Sequence, residues 1–554
     1  MALLIRRAAH QHPLRLPPPP APPRLPHRTL FLGTALLGLG WAADRYLYAE
    51  AVARTLRLAY NAGLTIVDYK LNFSPDRPAD ELHARVANRL AACCERNGGL
   101  YIKLGQAIAI QAALLPPVYT HALASIFDAA SPMPFQLVRQ VCSRELPGGI
   151  DRHFETFDPT PIACGSIAQV HRATLKGSAT PVAVKVQRPD IPIQIELDLF
   201  AYRSLLYVYE KVFDLPVYFV AQYVSDQIRK ETDFLCEARN AERTAALVAS
   251  DARLREHIYV PPVHWPLTTR RVLTTELVDD GCRLTDTARL AEKRLHPKAV
   301  MDLAMQLFAT MVFSFGWLHC DLHPGNLLVL AHAGKPKLAL IDHGLYIHLP
   351  ETFRRDYCEL WRSLFVLDSA SIDRIAQGWG IANSDLFASA TLMRPFAARK
   401  PRAGGAGPPA SAYESSLKIK ATLKTMLANE ALIPRELVFV VRCMRMMQGN
   451  NQVLGSPTNR LAILAHGAAA GMAINPPLGP RDAGLTTTAR RWMDGTLKLW
   501  TFRAMLVLVD VGFFFTRVRP PRPREGFEDI LQRQVQTLAR EEFGLTLDDS
   551  AFVG

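Results

Sequence analysis

The spacing of apolar and polar positions changes along the chain and predicts an order of elements. Residues 79–115 repeat with a helical period, and Asn-Gly-Gly at 97–99 predicts a break between two helices. A further helix is predicted from about residue 134 to residue 145. The short segments 170–173 and 182–186 predict β-strands, the first after a turn at residues 163–166 and the second with valine at alternate positions. We therefore expect a helical region followed by a region that contains a sheet.

The second half of the chain is predicted to be mainly helical. Residues 222–247 predict one long helix, and residues 271–277 predict a strand. From about His296 onward the spacing is helical, apart from two turn-forming segments at 319–326 and 341–344. A small strand-containing region followed by a helical region predicts an α+β fold with two lobes.

Both ends carry stretches that bear on membrane attachment. Residues 1–28 lack Asp and Glu, which is typical of a mitochondrial presequence, although the prolines at 17–20 also fit a disordered basic tail. The apolar run at residues 30–43 is shorter than the ~20 residues that usually span a bilayer. Flanking arginines and tyrosines favour a single inner-membrane anchor there. Residues 504–515 are apolar but contain Asp510, which favours a buried helix over a second span.

Composition limits the classes of partner. The formal net charge is +13, with basic residues concentrated near both ends. No zinc-finger or RNA-binding signature accompanies them, so we expect anionic membrane surfaces as partners and no nucleic acid. The nine cysteines show no Cys-x-x-Cys spacing, which favours free thiols over a disulfide scaffold or a zinc site.

The strongest chemical signal is the pair of turns in the helical region. Residues 319–326 read His-Cys-Asp-Leu-His-Pro-Gly-Asn, and residues 341–344 read Ile-Asp-His-Gly. In kinase sites an Asp at the position of Asp321 orients or deprotonates the attacking hydroxyl. An Asn and a second Asp, here Asn326 and Asp342, hold Mg²⁺ on the nucleotide phosphates. The order and spacing predict a phosphotransferase-type site that uses ATP (or ADP) and Mg²⁺.

Two further segments extend the kinase pattern and modify it. Lys185 ends a Val-Ala-Val-Lys segment, and in kinases the lysine of a similar strand segment contacts the α- and β-phosphates. Glu237 is the expected partner of Lys185. The phosphate loop is unusual, because residues 162–169 contain one glycine where protein kinases have three. Nothing like Ala-Pro-Glu follows Asp342. We therefore do not expect the peptide-docking segment of an ordinary protein kinase.

Together these residues resemble the UbiB-type (aarF-domain) atypical kinase family, in particular its mitochondrial branch with Asp-His-Gly in place of Asp-Phe-Gly. The resemblance covers roughly residues 80–400 and includes Lys-Leu-Gly-Gln at 103–106 and Glu-Thr-Asp at 231–233. It implies a protein-kinase-like two-lobed fold with an N-terminal helical extension, which the apolar run described above would precede as a short transmembrane segment. It also implies lipid or coenzyme Q homeostasis, with inner-membrane lipids such as cardiolipin and a lipid or isoprenoid small molecule as partners.

The resemblance also implies a role for each motif residue. Lys103 would pair with Glu231 and Asp233 and latch the extension over the active site, with Gln106 on the same helix face. Lys185 would pair with Glu237, and Asp321 would face the acceptor or a water. The implied nucleotide contacts are Ala163, Cys164, Gly165, Ser166, Lys185, Glu276 and Val278. The family loop usually reads Ala-Ala-Ala-Ser, so Gly165 predicts an altered nucleotide affinity or preference.

These assignments divide the chain into six predicted segments. They are a targeting segment (1–28), an anchor (29–48), a helical extension (49–130), an N-lobe (131–280), a C-lobe (281–475) and a C-terminal helical extension (476–554). A presequence followed directly by an apolar stop predicts a kinase-like domain in the intermembrane space. A domain that faces the matrix remains an alternative.

Two other functions remain open at the level of sequence. Small-molecule phosphotransferases of the aminoglycoside- or choline-kinase kind also use a His-x-Asp-x-x-x-x-Asn turn. A nucleotide-binding pseudokinase scaffold is the second alternative, although a scaffold has no chemical need for the complete set of kinase residues. The Lys-Leu-Gly-Gln segment and the alanine-type loop favour the atypical kinase or ATPase.

Overall fold

The structure is a computed structural model. The described residues are 38–45, 48–110, 117–124, 131–178, 180–214, 218–381, 384–392, 433–474, 496–497 and 500–507. Residues 1–53 and 54–554 form two compact units. In the first unit residues 38–45 are helical, and the Asp44 carboxylate accepts hydrogen bonds from the backbone of Val52 and Ala53. The predicted targeting segment and most of the predicted anchor lie outside the described residues.

One helical stretch within the described residues is long and apolar enough to cross a membrane. It is Pro297–Phe315, and 67% of its apolar window is buried inside the protein. Its Val300, Leu307 and Phe308 belong to the largest apolar core, at 1% exposure or less. The stretch is therefore a core helix of the C-lobe, and the anchor at residues 29–48 remains a prediction.

The second unit begins with helices that precede the sheet. They are α1 (Ala51–Asn72, which starts in the first unit), α2 (Ala79–Asn97), α3 (Leu100–Ile110) and α4 (Pro117–Ala124). Gly98 and Gly99 have positive φ values of 62° and 50°, which favour glycine and separate α2 from α3. The predicted break at residues 97–99 is confirmed.

An antiparallel sheet with flanking helices forms the N-lobe. Its elements are α5 (Phe135–Glu145), α6 (Gly149–His153), β1 (Phe154–Cys164), β2 (Ala168–Leu175), β3 (Pro181–Gln187), α7 (Ile191–Phe213), α8 (Phe219–Glu231), α9 (Phe234–Ser250), β4 (Ile258–Tyr259) and β5 (Val272–Glu276). The strand order of the sheet is β1-β2-β3-β5. Alternate residues of β3, Val184 and Val186, are fully buried in the lobe's core. Lys185 points to the other face because successive strand residues alternate.

The predicted single helix at residues 222–247 is wrong. The chain breaks between α8 and α9 at Thr232 and Asp233. Asp233 has extended φ and ψ values of −107° and 101°, and its carboxylate caps α9 by accepting from the Leu235 N–H at 3.0 Å. The Gln187 side chain donates to the Thr232 carbonyl at 2.7 Å, so the carbonyl at the break is satisfied. As a result Glu231 ends one helix and Glu237 lies in the first turn of the next.

The C-lobe is helical but contains more strand than predicted. Its elements are β6 (Cys282–Arg283), α10 (Thr287–Glu292), α11 (Pro297–Thr310), a π-helical turn (Met311–Phe315), β7 (Trp317–His319), β8 (Leu327–His332), β9 (Lys335–Leu340), β10 (Tyr346–His348), α12 (Glu351–Val366), α13 (Ser369–Gly378), α14 (Ser384–Leu392), α15 (Arg435–Val453) and α16 (Arg460–Ile474). Four strands thus flank the two predicted turns where helix was expected, since β8 pairs with β9 and β7 with β10. The short strand β4 also pairs with β9, in parallel. These pairings fix the two motif turns at strand ends.

The C-terminal apolar stretch is helical where it is described. Residues 500–507 are helical, and Phe502 and Leu506 are fully buried. The Phe502 ring lies 6.1 Å from that of Phe365 on α12. Within the predicted stretch, residues 504–507 are helical and Leu506 is buried, but Val507 is 58% exposed, so this part of the helix is buried on one face only. Residues 508–515 lie outside the described residues.

Candidate functional site

Three charged residues from different elements meet between the lobes. Lys185 on β3 places its Nζ 2.7 and 2.9 Å from the two carboxylate oxygens of Glu237 on α9. The same Nζ lies 3.1 Å from Oδ2 of Asp342, in the loop after β9. The predicted partner of Lys185 is therefore present in the structure. One ammonium group is shared by two carboxylates.

Burial and charge act in opposite directions on these groups. Burial alone would lower the pKa of Lys185, but Asp342 and Glu237 outweigh it and hold that pKa well above its usual value. Burial raises the pKa of Glu237 to about 7, although Lys185 opposes the shift. Burial also favours the neutral form of Asp342, yet Lys185 and Lys103 hold its pKa well below the usual range. Asp342 is therefore an ionised carboxylate, as a cation ligand requires.

The turn after β7 holds together Asp321, a predicted catalytic residue, and Asn326, a predicted metal ligand. The Asn326 amide donates to the backbone carbonyl of Asp321 at 3.0 Å and to its Oδ2 at 3.2 Å. Burial opposes ionisation of Asp321, but His323, Arg442 and Lys103 outweigh it and lower the pKa. Asn326 therefore fixes the orientation of the Asp321 side chain, and its amide oxygen remains available as a ligand.

His319 connects the two motif turns. Its Nδ1 accepts from the Asp321 N–H at 3.0 Å, so the ring proton resides on Nε2, which donates to the Asp342 carbonyl at 2.8 Å. Burial lowers the pKa of this imidazole and favours its neutral form. One buried ring thus sets the spacing between Asp321 and Asp342.

The histidine of Asp-His-Gly is a structural residue here. His343 Nε2 donates to the Leu340 carbonyl at 3.1 Å, and Nδ1 accepts from the Tyr346 hydroxyl at 2.9 Å. Burial lowers the pKa of His343 to about 3. The Asn240 amide on α9 donates to the His343 carbonyl at 3.0 Å. Helix α9 therefore holds this turn directly, in addition to supplying Glu237.

The N-terminal extension reaches the site through Lys103 on α3. Lys103 forms an ion pair with Glu231 at the end of α8. Burial opposes the charge of Lys103, but Glu231 and Asp321 raise its pKa to about 12. A Cβ added at Gly344 would lie 3.2 Å from both Glu231 Cγ and Asp342 Oδ1. The glycine therefore lets the latch residue Glu231 contact the Asp342 turn.

Asp233 was expected to share this latch, and that expectation is wrong. Its carboxylate caps α9, and its nearest cation is Arg270, whose Nε lies 3.8 Å away. The helix break separates it from Glu231, because residues at a helix end and at an N-cap do not share a helix face. Gln106 lies on α3, but its side chain is outside the described part of the structure.

The predicted nucleotide contacts lie in two places. Ala163 and Cys164 end β1, and Gly165 and Ser166 begin the turn to β2, in which the Gly165 N–H donates to the Ala168 carbonyl at 2.8 Å. Glu276 ends β5, and Val278 follows it in the linker to β6. The single glycine therefore lies at the tight point of the loop.

The site's residues fit a magnesium nucleotide. The Ser166 side chain is 6% exposed, and its Oγ has no hydrogen-bond partner within the described residues, which leaves a donor for a phosphate oxygen. Asp342 and Asn326 offer the oxygen ligands that Mg²⁺ prefers. No group of three or more His, Cys, Asp or Glu in the described residues could hold a metal by itself. Such a site relies on substrate phosphates to complete the coordination.

Two residues at the site have no counterpart in the sequence prediction. Arg442 on α15 places Nη2 3.5 Å from Asp321 Oδ1, and His323 places Nε2 3.8 Å from Asp321 Oδ2. His323 lies inside the predicted turn, so its proximity could have been inferred from the spacing. Arg442 is 121 positions from Asp321 and belongs to no local motif.

Comparisons with known proteins show which family the chain resembles in sequence. Residues 125–376 match the family described as the ABC1 atypical kinase-like domain. An ABC1 family protein of Schizosaccharomyces pombe is 36% identical over 443 residues, which are 79% of this chain and 82% of that protein. AarF domain-containing protein kinase 1 of Mus musculus is 32% identical over 423 residues, 75% of this chain and 79% of that protein. A Mycobacterium tuberculosis protein solved in complex with erythromycin gives a TM-score of 0.42 at 22% identity, with 70% of this chain and 94% of that chain covered.

The two lobes and the shared lysine define a protein of the kinase-like class. More specifically, the chain belongs to the ABC1 atypical kinase family, since a relative above 30% identity is matched over most of its length. The predicted UbiB-type family is confirmed. The assignment to a mitochondrial branch with Asp-His-Gly remains a prediction.

Proposed function

We propose that this protein is a membrane-anchored mitochondrial atypical kinase or ATPase that binds ATP with Mg²⁺ and acts in lipid or coenzyme Q homeostasis. The observation that carries the catalytic part is the shared position of Lys185 between Glu237 and Asp342, at 2.7 to 3.1 Å. This arrangement is the one that positions nucleotide phosphates and metal in kinases. A scaffold would not need it.

Each charged residue has one task in this proposal. When bound, ATP with Mg²⁺ supplies the phosphoryl group for transfer or hydrolysis. Lys185, held by Glu237, binds phosphate oxygens, and Asp342 and Asn326 hold the metal. Asp321, oriented by Asn326, accepts a hydrogen bond from the acceptor hydroxyl or from water and takes its proton. His319 is neutral and keeps the two carboxylates at a fixed spacing.

The position of the N-terminal extension favours a phosphoryl acceptor other than a protein side chain. The ion pair between Lys103 and Glu231 brings α3 of the extension to the active-site turns. An extension in this position competes with a peptide for the space in front of Asp321. This favours a small or membrane-borne acceptor, and the proposed ligand is a lipid or an isoprenoid in the inner membrane.

Magnesium-dependent ATP turnover by the full chain tests the proposal. We would measure it with and without cardiolipin-containing vesicles, beside Asp342→Asn as the inactive control. The proposal predicts turnover that rises with the vesicles and falls about 100-fold or more in the variant. Nucleotide binding without turnover under all conditions would contradict it and favour the scaffold.

The location is tested separately. Protease treatment of intact mitochondria and of mitoplasts reports which compartment holds the kinase-like domain. Digestion only after rupture of the outer membrane supports the proposed intermembrane-space location. Protection in both preparations would place the domain in the matrix instead.

A further inference from the structure

Helix α15 is fixed against the catalytic turn, although it lies outside the residues that match the family domain. The Cys443 thiol donates to the His319 carbonyl at 3.5 Å, and the Asn450 amide donates to the Leu322 carbonyl at 3.2 Å. Val440 and Met447 on the same helix are fully buried in the C-lobe core. The position of every side chain on this helix is therefore set relative to Asp321.

Arg442 on this helix is poorly satisfied by its neighbours. Its side chain is 17% exposed, and its Nη2 is 3.5 Å from Asp321 Oδ1, well beyond the ~2.7–2.9 Å of a charge-assisted hydrogen bond. Its Nε is buried and has no hydrogen-bond partner within the described residues. Burying such a donor costs free energy unless a ligand accepts from it.

A second guanidinium lies one helical turn further along α15. Arg445 is partly buried, and burial lowers its pKa without any opposing carboxylate. In the part of the chain that the structure describes, it has neither a hydrogen bond nor an ion pair. By contrast, Lys185 and Lys103 are each neutralised by carboxylates. Helix α15 therefore carries guanidinium donors near Asp321 that the described residues leave unfilled, namely Arg442 Nε and the Arg445 side chain.

We propose that Arg442, assisted by Arg445, forms an anion site beside Asp321 that binds a phosphate group carried by the acceptor. The planar guanidinium matches two oxygens of a phosphate, whereas a neutral alcohol would need Asp321 alone. This inference rests on the proposed function and narrows its acceptor to phosphate-bearing compounds. The phosphate can belong to a lipid headgroup or to a soluble phosphate monoester.

Binding measurements on the full chain test the site without requiring turnover. The protein, saturated with ADP and Mg²⁺, is titrated with glycerol 3-phosphate in one arm. In the other arm it is titrated with phosphatidylcholine vesicles with or without phosphatidic acid. Arg442→Gln is compared with Arg442→Lys and with Arg289→Gln, because Arg289 is 63% exposed on α10 and pairs with Glu292. Unchanged ADP affinity shows that each variant is folded.

The site predicts saturable binding in at least one arm. Arg442→Gln should weaken that binding about tenfold or more, Arg442→Lys should retain part of it, and Arg289→Gln should leave it unchanged. Binding in the soluble arm identifies a phosphate monoester, and binding to phosphatidic acid vesicles alone identifies a headgroup. Failure of both arms, or equal binding by Arg442→Gln, would overturn the inference. That outcome would not contradict the proposed ATP turnover, which is measured separately.

Discussion

At the scale of single residues, the site depends on neutral groups as much as on charged ones. His319 joins the backbones of Asp321 and Asp342 through its two ring nitrogens, and His343 is fixed by Leu340 and Tyr346. Burial lowers the pKa of both rings. Both imidazoles therefore favour the neutral form, which keeps one donor and one acceptor nitrogen on each ring for these hydrogen bonds.

Gly344 leaves space that the neighbouring side chains of Asp342 and Glu231 occupy. In Gly344→Ala, the new Cβ would lie 3.2 Å from Asp342 Oδ1 and from Glu231 Cγ. We expect the Asp342 carboxylate to shift and the proposed magnesium-dependent ATP turnover to fall about tenfold. Gly378→Ala is the matched control, since a Cβ there meets no atom within 4 Å. Equal turnover in the two variants would show that the close contact is unimportant.

Substitution of Gly165 tests whether the single glycine of the predicted phosphate loop affects nucleotide binding. A Cβ at this position would lie 3.3 Å from the Ala168 carbonyl oxygen, so alanine fits only with a small shift of the turn. Alanine also restricts the backbone, and we expect the ratio of ATP to ADP affinity to change by about two- to fivefold. Titration of both nucleotides against wild type and Gly165→Ala measures this ratio. An unchanged affinity for both nucleotides would refute the prediction.

At the scale of elements, the break between α8 and α9 organises the site. It lets α8 end at Glu231, facing Lys103, while α9 begins with Glu237 in its first turn, facing Lys185. One continuous helix would rotate these two acids apart, because six residues correspond to 600° and leave them about 120° from a common face. The break therefore lets two consecutive helices supply the acidic partners of Lys103 and Lys185.

Substitutions at Asp233 test how much its N-cap of α9 contributes to stability at this break. Asp233→Ala removes the cap of α9 and should lower the free energy of unfolding by about 1 kcal/mol, whereas Asp233→Asn retains a capping oxygen and should change it little. Urea denaturation of the three proteins gives the comparison. If Asp233→Asn were as destabilising as Asp233→Ala, the charge of Asp233 rather than its cap would be the important property.

The helices, strands and turns also show which features could be predicted from the sequence. The strand around Lys185 and the turn from His319 to Asn326 follow from local patterns, and both were placed correctly. The break at Asp233 had a local signal too, because Asp is a preferred N-cap, but the apolar spacing continues across it. Arg442 had no such signal, since it approaches Asp321 across 121 positions and only tertiary packing defines that approach.

At the scale of the whole molecule, a buried ion pair ties the extension to the N-lobe. Arg54 Nη2 on α1 lies 2.5 Å from Asp198 Oδ2 on α7, and the two side chains are 3% and 0% exposed. The Arg54 guanidinium also lies 5.2 Å from the ring of Tyr101, two residues before Lys103 on α3. The pair therefore supports the helix that carries the latch.

Removing one partner of this pair should destabilise the protein strongly. Arg54→Met leaves the buried Asp198 without its cation, and we expect a loss of about 3–5 kcal/mol in the free energy of unfolding. The double variant Arg54→Met, Asp198→Leu should recover most of that loss, because an apolar pair has no uncompensated charge. Chemical denaturation distinguishes the two. Equal stability of the single and double variants would mean that an Asp198 carboxyl without its cation carries no penalty.

The proposed function requires that Lys185, Asn326 and Asp342 together hold a magnesium nucleotide. The most direct measurement is the affinity for ATP with and without Mg²⁺, by calorimetric titration of the wild type and of Asp342→Asn. We predict that Mg²⁺ tightens ATP binding at least about tenfold in the wild type and has little effect in the variant. Equal ATP affinity with and without Mg²⁺ in the wild type would contradict the account.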